Sequence, residues 1–582
     1  MAFTVADYLV TDDLTILLAL IAATVFLLNN LYKPQPLVHP ILLGRQSDVG
    51  RARNPTESAV YRNYGTGLMG RFPIKPGKDV NILQDLVRTE QEAPRTLWST
   101  KLTNGHLSDR AAAFGTGLLK LTSLEAERSK VLLLLNDSLE FIVADLGLSL
   151  HSIESITLAS STLLSGVLDT HTPNAIITHA FLLPNLLEHI YESGNQQNQH
   201  TIIVVGEPSA QTKASVASNI KVLDFADVER EGFKSQKILS TLPKPEDVFT
   251  TCFYQTSSGQ IQGVQLTHEN VTAGVCAVRA LFPVSASLSA LDTLVSAFPI
   301  STPYGRSIAY TAIFEGCNFA NIPSSELYHS DERDAKPEDL NTLATRKYPI
   351  PAPTVMFIKP GHLVSLVSSI NQYAKSSTLL YALAWRNKLA SILEGFVTNQ
   401  SLWDRLVFDS ARIKSLGDNA AAVRSVIVSG GPIDAALLTP ARIALSIPLV
   451  NTFTDTISTG PILATHPLDL QDFTTTPGTP APSGAPGINV EVKLTGVDDD
   501  AVEAGNDPEG QMQVRGPPVG RVVQLEDYVN VDVTRSVIGD GVFVAGGSGS
   551  GEQKMEDGYV WTAVDAKASV MTNGSFRVVG RV

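Results

Sequence analysis

The chain has 582 residues, a net charge of −14 and an apolar fraction of 43%. A chain of that length is too long to fold around one hydrophobic core and predicts about four compact units. The apolar fraction excludes a mainly disordered chain. An acidic chain without a long Lys/Arg run is not expected to bind nucleic acid. The 3 cysteines exclude a disulfide framework, and their spacing predicts no metal site.

An uncharged apolar run lies near the start of the chain. Residues 14–28 read LTILLALIAATVFLL, and the uncharged stretch continues to Tyr32. Its length of about 19 residues is close to the ~20 that cross a bilayer. Acidic residues precede the run, and Lys33, Arg45 and further basic residues follow it. Under the positive-inside rule, residues 1–32 are predicted to anchor a single-pass membrane protein whose body is cytosolic, at the endoplasmic reticulum or a related membrane. A buried core helix is the alternative.

Residues 33–473 show two patterns. Residues 33–80 are rich in Pro, Gly and Arg and predict an irregular tether. Apolar, β-rich runs then alternate with helical stretches, which is typical of parallel sheets covered by helices. An α/β body is therefore predicted over residues 81–473. Its runs are residues 131–135, 175–178, 201–205, 354–358 and 425–428, with a helical stretch at 108–121.

The sequence changes in character after residue 473. Residues 474–487 (TTTPGTPAPSGAPG) predict a linker. Residues 488–494 and 511–515 alternate apolar and polar side chains, which is typical of antiparallel strands. Residues 474–582 are therefore predicted to form a linker and a β-rich subdomain.

A polar loop carries the strongest chemical signal. Residues 253–270 read FYQTSSGQIQGVQLTHEN, with Thr, Ser and Gly between an apolar run and a predicted helix start near 267–270. Backbone N–H groups and hydroxyls in such a loop bind phosphate. An ordinary polar loop with a capping threonine is the alternative.

This stretch resembles the phosphate loop of the AMP-forming acyl-CoA synthetases, Thr-Ser-Gly-Thr-Thr-Gly-x-Pro-Lys-Gly-Val followed by Thr-His-x-Asn. Further segments resemble that family's motifs in the same order, and the long-chain fatty acid branch fits best. The segments are residues 296–305 (SAFPISTPYG), 353–363 (PTVMFIKPGHL), 428–433 (VSGGPI), 453–457 (FTDTI), 509–517 (EGQMQVRGP), 557–565 (DGYVWTAVD) and 573–581 (NGSFRVVGR).

The resemblance implies the large N-terminal domain of adenylate-forming enzymes. It also implies that ATP, with Mg²⁺, activates a fatty carboxylate as acyl-adenylate, from which CoA displaces AMP. His268 is interpreted as a helix-start residue rather than a base, and Arg515 as either a ligand contact or a salt-bridged strand residue. The nucleotide-binding residues implied are Thr256, Ser257, Ser258, Gly259, Gly263, Gly430, Gly431, Phe453, Asp455, Thr456, Asp565 and Arg581.

The chain departs from the family pattern at its charged positions. Gln262 stands where the family has the loop Lys, and Ile457 stands where it has the Glu used toward Mg²⁺. No catalytic residue or metal ligand is therefore assigned. At the ribose-binding Asp an ungapped alignment places Val564, and a one-residue shift places Asp565. The family continues past the Gly-Arg pair into a small catalytic domain, which is predicted to be absent because the sequence ends at Val582.

These features favour a membrane-anchored, catalytically degenerate relative of the long-chain acyl-CoA synthetases that acts in lipid metabolism by binding an acyl chain, a nucleotide or a protein partner. An active ATP-dependent ligase and a membrane-tethered scaffold are the alternatives, because fold alone does not define function. The sequence does not identify a protein partner.

Overall fold

The computed structural model describes residues 12–31, 36–192, 200–238, 242–329, 348–376, 378–530 and 558–580. The α-helices of this described part are α1 (Asp13–Leu31), α2 (Pro40–Leu43), α3 (Tyr64–Met69), α4 (Asn104–Leu121), α5 (Leu139–Leu150), α6 (Leu164–Thr170), α7 (Leu183–Glu192), α8 (Ala210–Ala214), α9 (Phe225–Lys234), α10 (His268–Arg279), α11 (Pro303–Glu315), α12 (Pro360–Ala374), α13 (Thr378–Leu393), α14 (Asp409–Leu416), α15 (Ala435–Leu445), α16 (Asp499–Glu503) and α17 (Leu525–Asn530).

The strands of the described part form three sheets. They are β1 (Ser47–Arg51), β2 (Val60–Asn63), β3 (Arg95–Leu97), β4 (Thr100–Leu102), β5 (Lys130–Leu134), β6 (Glu154–Leu158), β7 (Ala175–His179), β8 (His200–Val205), β9 (Ile220–Asp224), β10 (Val248–Gln255), β11 (Ile261–Thr267), β12 (Thr293–Ser296), β13 (Asn318–Asn321), β14 (Val355–Ile358), β15 (Ser425–Val428), β16 (Leu449–Phe453), β17 (Leu463–Ala464), β18 (Ala485–Pro486), β19 (Glu491–Thr495), β20 (Glu509–Arg515), β21 (Arg521–Gln524), β22 (Thr562–Val570) and β23 (Phe576–Gly580).

Two large sheets form the α/β body. One has the order β21-β11-β10-β6-β5-β7-β8-β9, and the other β18-β17-β16-β15-β14-β12-β13-β3-β4. Their central strands are parallel and fully buried, so the predicted strands and α/β class are confirmed. Both sheets are mixed rather than parallel throughout, because the hairpins β10-β11, β3-β4 and β16-β17 add antiparallel strands.

The third sheet is antiparallel and has the order β1-β2-β19-β20-β22-β23. It confirms the predicted β-rich character of the C-terminal part. The prediction of an irregular tether over residues 33–80 is wrong, because β1 and β2 belong to this sheet. Tyr61 packs edge-on against Phe576 with ring centroids 5.4 Å apart, which gives β2 a buried apolar face.

The predicted linker at 474–487 lies against the body. Ala481 and Ala485 are buried, the backbone N–H of Ala481 donates to the carbonyl of Ile433, and β18 ends one sheet. Its prolines and glycines therefore lie in an ordered segment that packs on the body rather than in a flexible linker.

Glycines allow the helices over the eight-stranded sheet to approach closely. A Cβ at Gly117 of α4 would lie 1.9 Å from the carbonyl oxygen of Val228 in α9, and one at Gly232 of α9 would lie 1.7 Å from that of Ala113. Phe114 and Phe225 stack beside this contact with centroids 4.3 Å apart. No side chain fits between these backbones, so the contact requires glycine.

Two buried asparagines join the antiparallel sheet to α10. The Asn270 amide donates to the carbonyl of Pro517 at 2.7 Å, and the Asn489 amide donates to that of Ala273 at 2.8 Å. Asn270 also accepts from the backbone N–H of Thr267 and so caps the start of α10. These amides bond backbone groups that are buried between the two units.

Helix α1 exposes apolar side chains, including Leu14, Ile16, Leu17, Leu20 and Phe26, so it is not a buried core helix. Across the described ranges, no helix has both the length and the apolar character needed to cross a membrane. The structure therefore does not support the predicted N-terminal span.

The glycine contact between α4 and α9 predicts that alanine substitutions at two glycines of α4 differ in their effect on stability. Gly117→Ala should lower the free energy of unfolding by about 3 kcal/mol, because backbone must move to admit the methyl group. Gly105→Ala in the same helix should be neutral or stabilising, since its Cβ would lie 3.9 Å from the nearest atom. Urea unfolding followed by circular dichroism measures both, and equal midpoints for the two variants would contradict the close contact.

Candidate functional site

The predicted phosphate loop is the turn of a β-hairpin. Residues 256–260 connect β10 to β11, the backbone N–H of Thr256 donates to the carbonyl of Gln260, and Gly259 has a φ of 85°. Helix α10 begins at His268, so the predicted helix start is confirmed. Strand β11 lies between the loop and this helix.

A carboxylate accepts the hydrogen bonds that Ser257 of this loop donates. The backbone N–H and the hydroxyl of Ser257 both donate to Asp565 of β22, at 2.9 and 2.7 Å. Val564 is buried in the core of the antiparallel sheet, so the structure places Asp565 rather than Val564 at the loop. The carboxylate takes the position that an anionic ligand of Ser257 would need.

The surroundings of the loop are acidic. The Tyr254 hydroxyl donates to the side-chain oxygen of Gln262 at 3.0 Å. Burial, and then the negative charges of Asp455 and Asp565, raise the pKa of Tyr254. Both carboxylates therefore lie close enough to act on one phenol, and Gln262 adds no compensating positive charge.

A second pair of turns completes the candidate site at the carboxyl ends of β15 and β16. Ser429 and Thr454 share a hydrogen bond of 2.7 Å between their hydroxyls. Gly430 has a φ of 88°, and a Cβ there would lie 3.2 Å from the Phe298 ring. This edge of the sheet is where ligands bind in open α/β folds.

The other predicted site residues divide between this edge and the core. Phe453, half-buried at the end of β16, packs against the core of the antiparallel sheet, and Asp455 and Thr456 follow it. The loop contains Thr256, Ser258 and Gly259, and Gly431 follows Gly430. Gly263 lies inside β11, where it pairs with Phe253 and Val523 and does not face the loop. Arg581 lies outside the described residues.

Two further interpretations are resolved by contacts. Arg515 donates to Glu491 at 2.8 Å across two strands, so it is a salt-bridged strand residue. His268 is buried, accepts from the backbone N–H of Leu83 and stacks on Phe249. Burial lowers the pKa of His268 to about 3, so its imidazole is a neutral structural group.

Sequence reasoning did not single out Lys359. It follows β14 directly, is half-buried, and its Cγ lies 3.9 Å from the Cβ position of Gly430. It therefore brings a cation to the edge that carries the Gly430 turn. A lysine between a buried strand and a proline is the signal that could have identified it.

The site does not fit a magnesium triphosphate. Ile457 is 2% exposed within the core of the antiparallel sheet, and an alkyl group cannot ligate a hard cation. Ser257 is engaged by Asp565, and Gln262 is neutral. Groups that could contact a nucleoside remain at the Gly430 and Thr454 turns. The residues present thus fit a nucleoside better than a metal-bound phosphate chain.

An apolar cavity of about 360 Å³ lies at the other end of the same strands. Met356, Leu366, Val426 and Ile447 are among its apolar lining residues, and Arg412 and Asp409 line it as well. It is separated from the turns at the carboxyl ends by roughly one four-residue strand, about 13 Å. Its volume lies in the range of small-molecule sites.

Comparisons with known proteins agree with this architecture. The structure resembles a long-chain-fatty-acid-CoA ligase (FadD1) from Archaeoglobus fulgidus, with a TM-score of 0.58 and 14% identity over 88% of this chain and 86% of that one. It also resembles the anthranilate CoA ligase AuaEII in complex with anthranoyl-AMP, with a TM-score of 0.57 and 16% identity over 88% and 78% of the two chains. The fold is therefore that of the adenylate-forming enzymes.

A family model described as AMP-binding enzyme matches residues 84–522. The chain belongs to this family, within the AMP-forming acyl-CoA synthetases. Long-chain-fatty-acid–CoA ligase 5 of Mus musculus is 25% identical over 371 residues, covering 62% of this chain and 51% of the relative. Ligase 1 of Homo sapiens is 27% identical over 279 residues, covering 48% and 36%. The chain thus spans about half or less of these curated relatives.

The contact between Asp565 and Ser257 predicts the effect of removing the carboxylate. Asp565→Ala should strengthen binding of inorganic pyrophosphate about ten-fold, because it frees two donors and removes a like charge. Titration calorimetry measures this, with Asp500→Ala on α16 as a control of equal charge change. Weaker binding by Asp565→Ala would mean that this carboxylate supports the ligand instead.

Proposed function

We propose that this protein is a catalytically degenerate long-chain acyl-CoA synthetase relative that binds a nucleotide and an acyl chain at a membrane surface. The observation that carries the proposal is the loop in which Asp565, rather than a cationic side chain, engages Ser257. A phosphate-binding loop normally supplies positive charge and free donors, whereas residues 256–260 carry no cationic side chain and the donors of Ser257 are engaged by Asp565.

Weak nucleotide binding that is nearly independent of Mg²⁺ is the first part of the proposal. It is supported by the Gly430 and Thr454 turns, which lie at the carboxyl ends of β15 and β16, the edge at which ligands bind in open α/β folds. It is also supported by Gln262 and the buried Ile457, which stand where the family resemblance implies a cation and a metal ligand. The family that this chain resembles uses ATP and CoA as co-substrates, together with Mg²⁺.

Loss of efficient adenylation follows from the same residues. Negative charge that develops at a phosphate needs preorganised positive charge or donors, and removing one such group costs ~10²–10³ in rate. Two groups that act together leave little catalysis when both are replaced. An active ligase, the alternative, would need Lys359 or another cation to take the role of the loop Lys.

Acyl-chain binding is supported by the apolar cavity beside Met356 and Val426. The relatives of Mus musculus and Homo sapiens are named as long-chain-fatty-acid ligases. The substrate in those names carries a long aliphatic chain, which an apolar cavity accommodates. An aliphatic chain gains free energy there by leaving water, at about 0.8 kcal/mol per buried CH₂ group.

Membrane association is supported by α1, whose leucine, isoleucine and phenylalanine side chains are exposed. Exposed apolar area of this size on a helix is favourable at a lipid interface. The basic residues Lys33 and Arg45 on its C-terminal side favour contact with the anionic lipids of a cytosolic membrane face, at the endoplasmic reticulum or a related membrane.

Acyl-CoA formation is expected to be at least about 100-fold slower than in a working family member, because Gln262 and Ile457 replace two charged groups. Gln262→Lys should strengthen ATP binding, whereas Gln260→Lys, at an exposed position of the same loop, should change it little. Pyrophosphate release and acyl-CoA formation are followed separately on the full chain. Robust acyl-CoA formation by the unmodified chain would establish the active ligase.

Ile457→Glu is not an informative reversion, because the carboxylate would enter the core of the antiparallel sheet and destabilise it. Gln262→Lys therefore provides the cleaner test of the missing charge.

Vesicle flotation tests the role of α1. The full chain should float with phosphatidylcholine vesicles, and Leu17→Asp combined with Ile21→Asp should reduce flotation about 100-fold, since a charge at the centre of an inserted helix is costly. Leu68→Asp, at an exposed leucine of α3, is the matched control. Unchanged flotation of the double variant would remove α1 as the attachment.

A further inference from the structure

A second exposed apolar surface lies on helix α13. Leu379 is 74% exposed and Leu393 is 59% exposed, with Leu383 between them at 46%. Leu383 follows Leu379 by 4 residues and Leu393 follows it by 14, close to one and four helical turns, so these leucines share one side of the helix. The opposite side, with Ala384 and Ile392, is buried against the body.

The neighbouring π-helical turn, Asp404–Phe408, extends the exposed apolar area. The buried Lys388 of α13 donates to Asp404 at 2.7 Å, which fixes this turn beside the helix. Leu402 and Leu406 are 66% and 54% exposed. The surface therefore rests on a rigid, ion-paired support rather than on a loose loop.

Positive charge surrounds these leucines. Among residues 359–416 the exposed charged side chains are Lys375, Arg386, Arg405 and Lys414 against Glu394, while Lys388 and Arg412 are buried and paired with Asp404. Lys375, Arg386 and Lys414 are exposed, and Lys375 and Lys414 lie 5.8 and 5.7 Å from the ring centroids of Tyr381 and Tyr373. A basic cluster in an acidic protein marks a place for an anionic partner.

The chain that follows α1 returns to this surface. The backbone N–H of Leu37 donates to the carbonyl of Gly395, two residues beyond the end of α13, and Pro36 lies against Gly395. Ile41 and Leu42 of α2, a few residues further on, are exposed. The end of α13 thus adjoins the segment that leads to the other exposed apolar helix.

We propose that this α13 surface, formed by Leu379, Leu383, Leu393, Leu402 and Leu406 with Lys375, Arg386 and Lys414, binds the surface of an anionic lipid bilayer. The leucines would enter the interface while the cations meet lipid phosphates and carboxylates. This inference rests on the proposed membrane association, and adds to α1 a contact that orients the body on the lipid.

Charge favours a bilayer over a second copy of the chain. A symmetric dimer through this surface would place each basic cluster opposite an identical one, and like charges in contact are unfavourable. An anionic bilayer instead offers a continuous complementary surface, and each Lys or Arg near it contributes favourable free energy.

An environment-sensitive fluorophore on α13 tests the contact in the full chain. Cys252, Cys276 and Cys317 are buried, so a thiol introduced by Leu383→Cys is the exposed one for labelling among the described residues. With vesicles of phosphatidylcholine and roughly 30% phosphatidylserine, emission from this label should shift to the blue. Phe233→Cys, an exposed apolar position on α9, should show no shift.

Charge removal gives a second readout. Lys375→Gln, Arg386→Gln and Lys414→Gln should each weaken partitioning to anionic vesicles about five-fold. Lys213→Gln, Lys234→Gln and Lys244→Gln, at exposed lysines elsewhere, should change it little.

The outcomes separate this inference from the attachment through α1. A blue shift at position 383 that needs phosphatidylserine and weakens in the α13 charge variants supports the proposal. Vesicle binding without a shift at 383 would leave attachment through α1 alone and overturn the proposal. Equal shifts at 383 and 233 would show non-specific adsorption and also overturn it. Absence of any vesicle binding would overturn both membrane proposals, while the nucleotide and acyl-chain proposals would stand.

Discussion

The buried amides of Asn270 and Asn489 hold the antiparallel sheet against helix α10, and the candidate site depends on them. Ser257 belongs to the eight-stranded sheet and Asp565 to the antiparallel one, so their contact exists only while these sheets stay in place. Replacing a buried amide with a group that cannot bond leaves carbonyls without partners, at about 1–3 kcal/mol each. The side-chain oxygen of Asn270 also accepts from the backbone N–H of Thr267 at the start of α10. One residue therefore both caps the helix and makes the long-range contact.

Local patterns were enough to predict the body of the fold. Continuous apolar runs such as those at 131–135 and 425–428 became buried parallel strands, because a strand covered on both faces needs no alternation. Residues 33–80 were misread because their strands are defined by a distant partner. Nothing in the four residues of β2 indicates that Arg62 will pair with Glu491. The antiparallel edges of the two large sheets likewise depend on pairings that periodicity does not report.

The position of the loop was predictable from composition and motif order, but its chemistry was not. Ser257 and Asp565 are 308 positions apart, and a one-residue ambiguity in alignment decided whether a carboxylate or Val564 would face the loop. Strand β11 was missed because its apolar and polar residues alternate only partly around Gly263. Ile457 was recognised as a substitution, yet only the structure shows that it is part of a core. One side chain, Ile457, thus offers no ligand atom and at the same time belongs to the apolar core of the antiparallel sheet.

The pairing of β2 with β19 bears on how the chain is made. Arg62 precedes Glu491 by more than four hundred positions, so at 5–20 residues per second a ribosome needs roughly 20 to 90 s to supply the partner. During that interval β2 can pair with β1 on one edge but has no strand to pair with on the other. Strand edges left open in this way attract other chains. Synthesis of this protein therefore places a particular demand on chaperones at its amino-terminal end, long before the site itself can assemble.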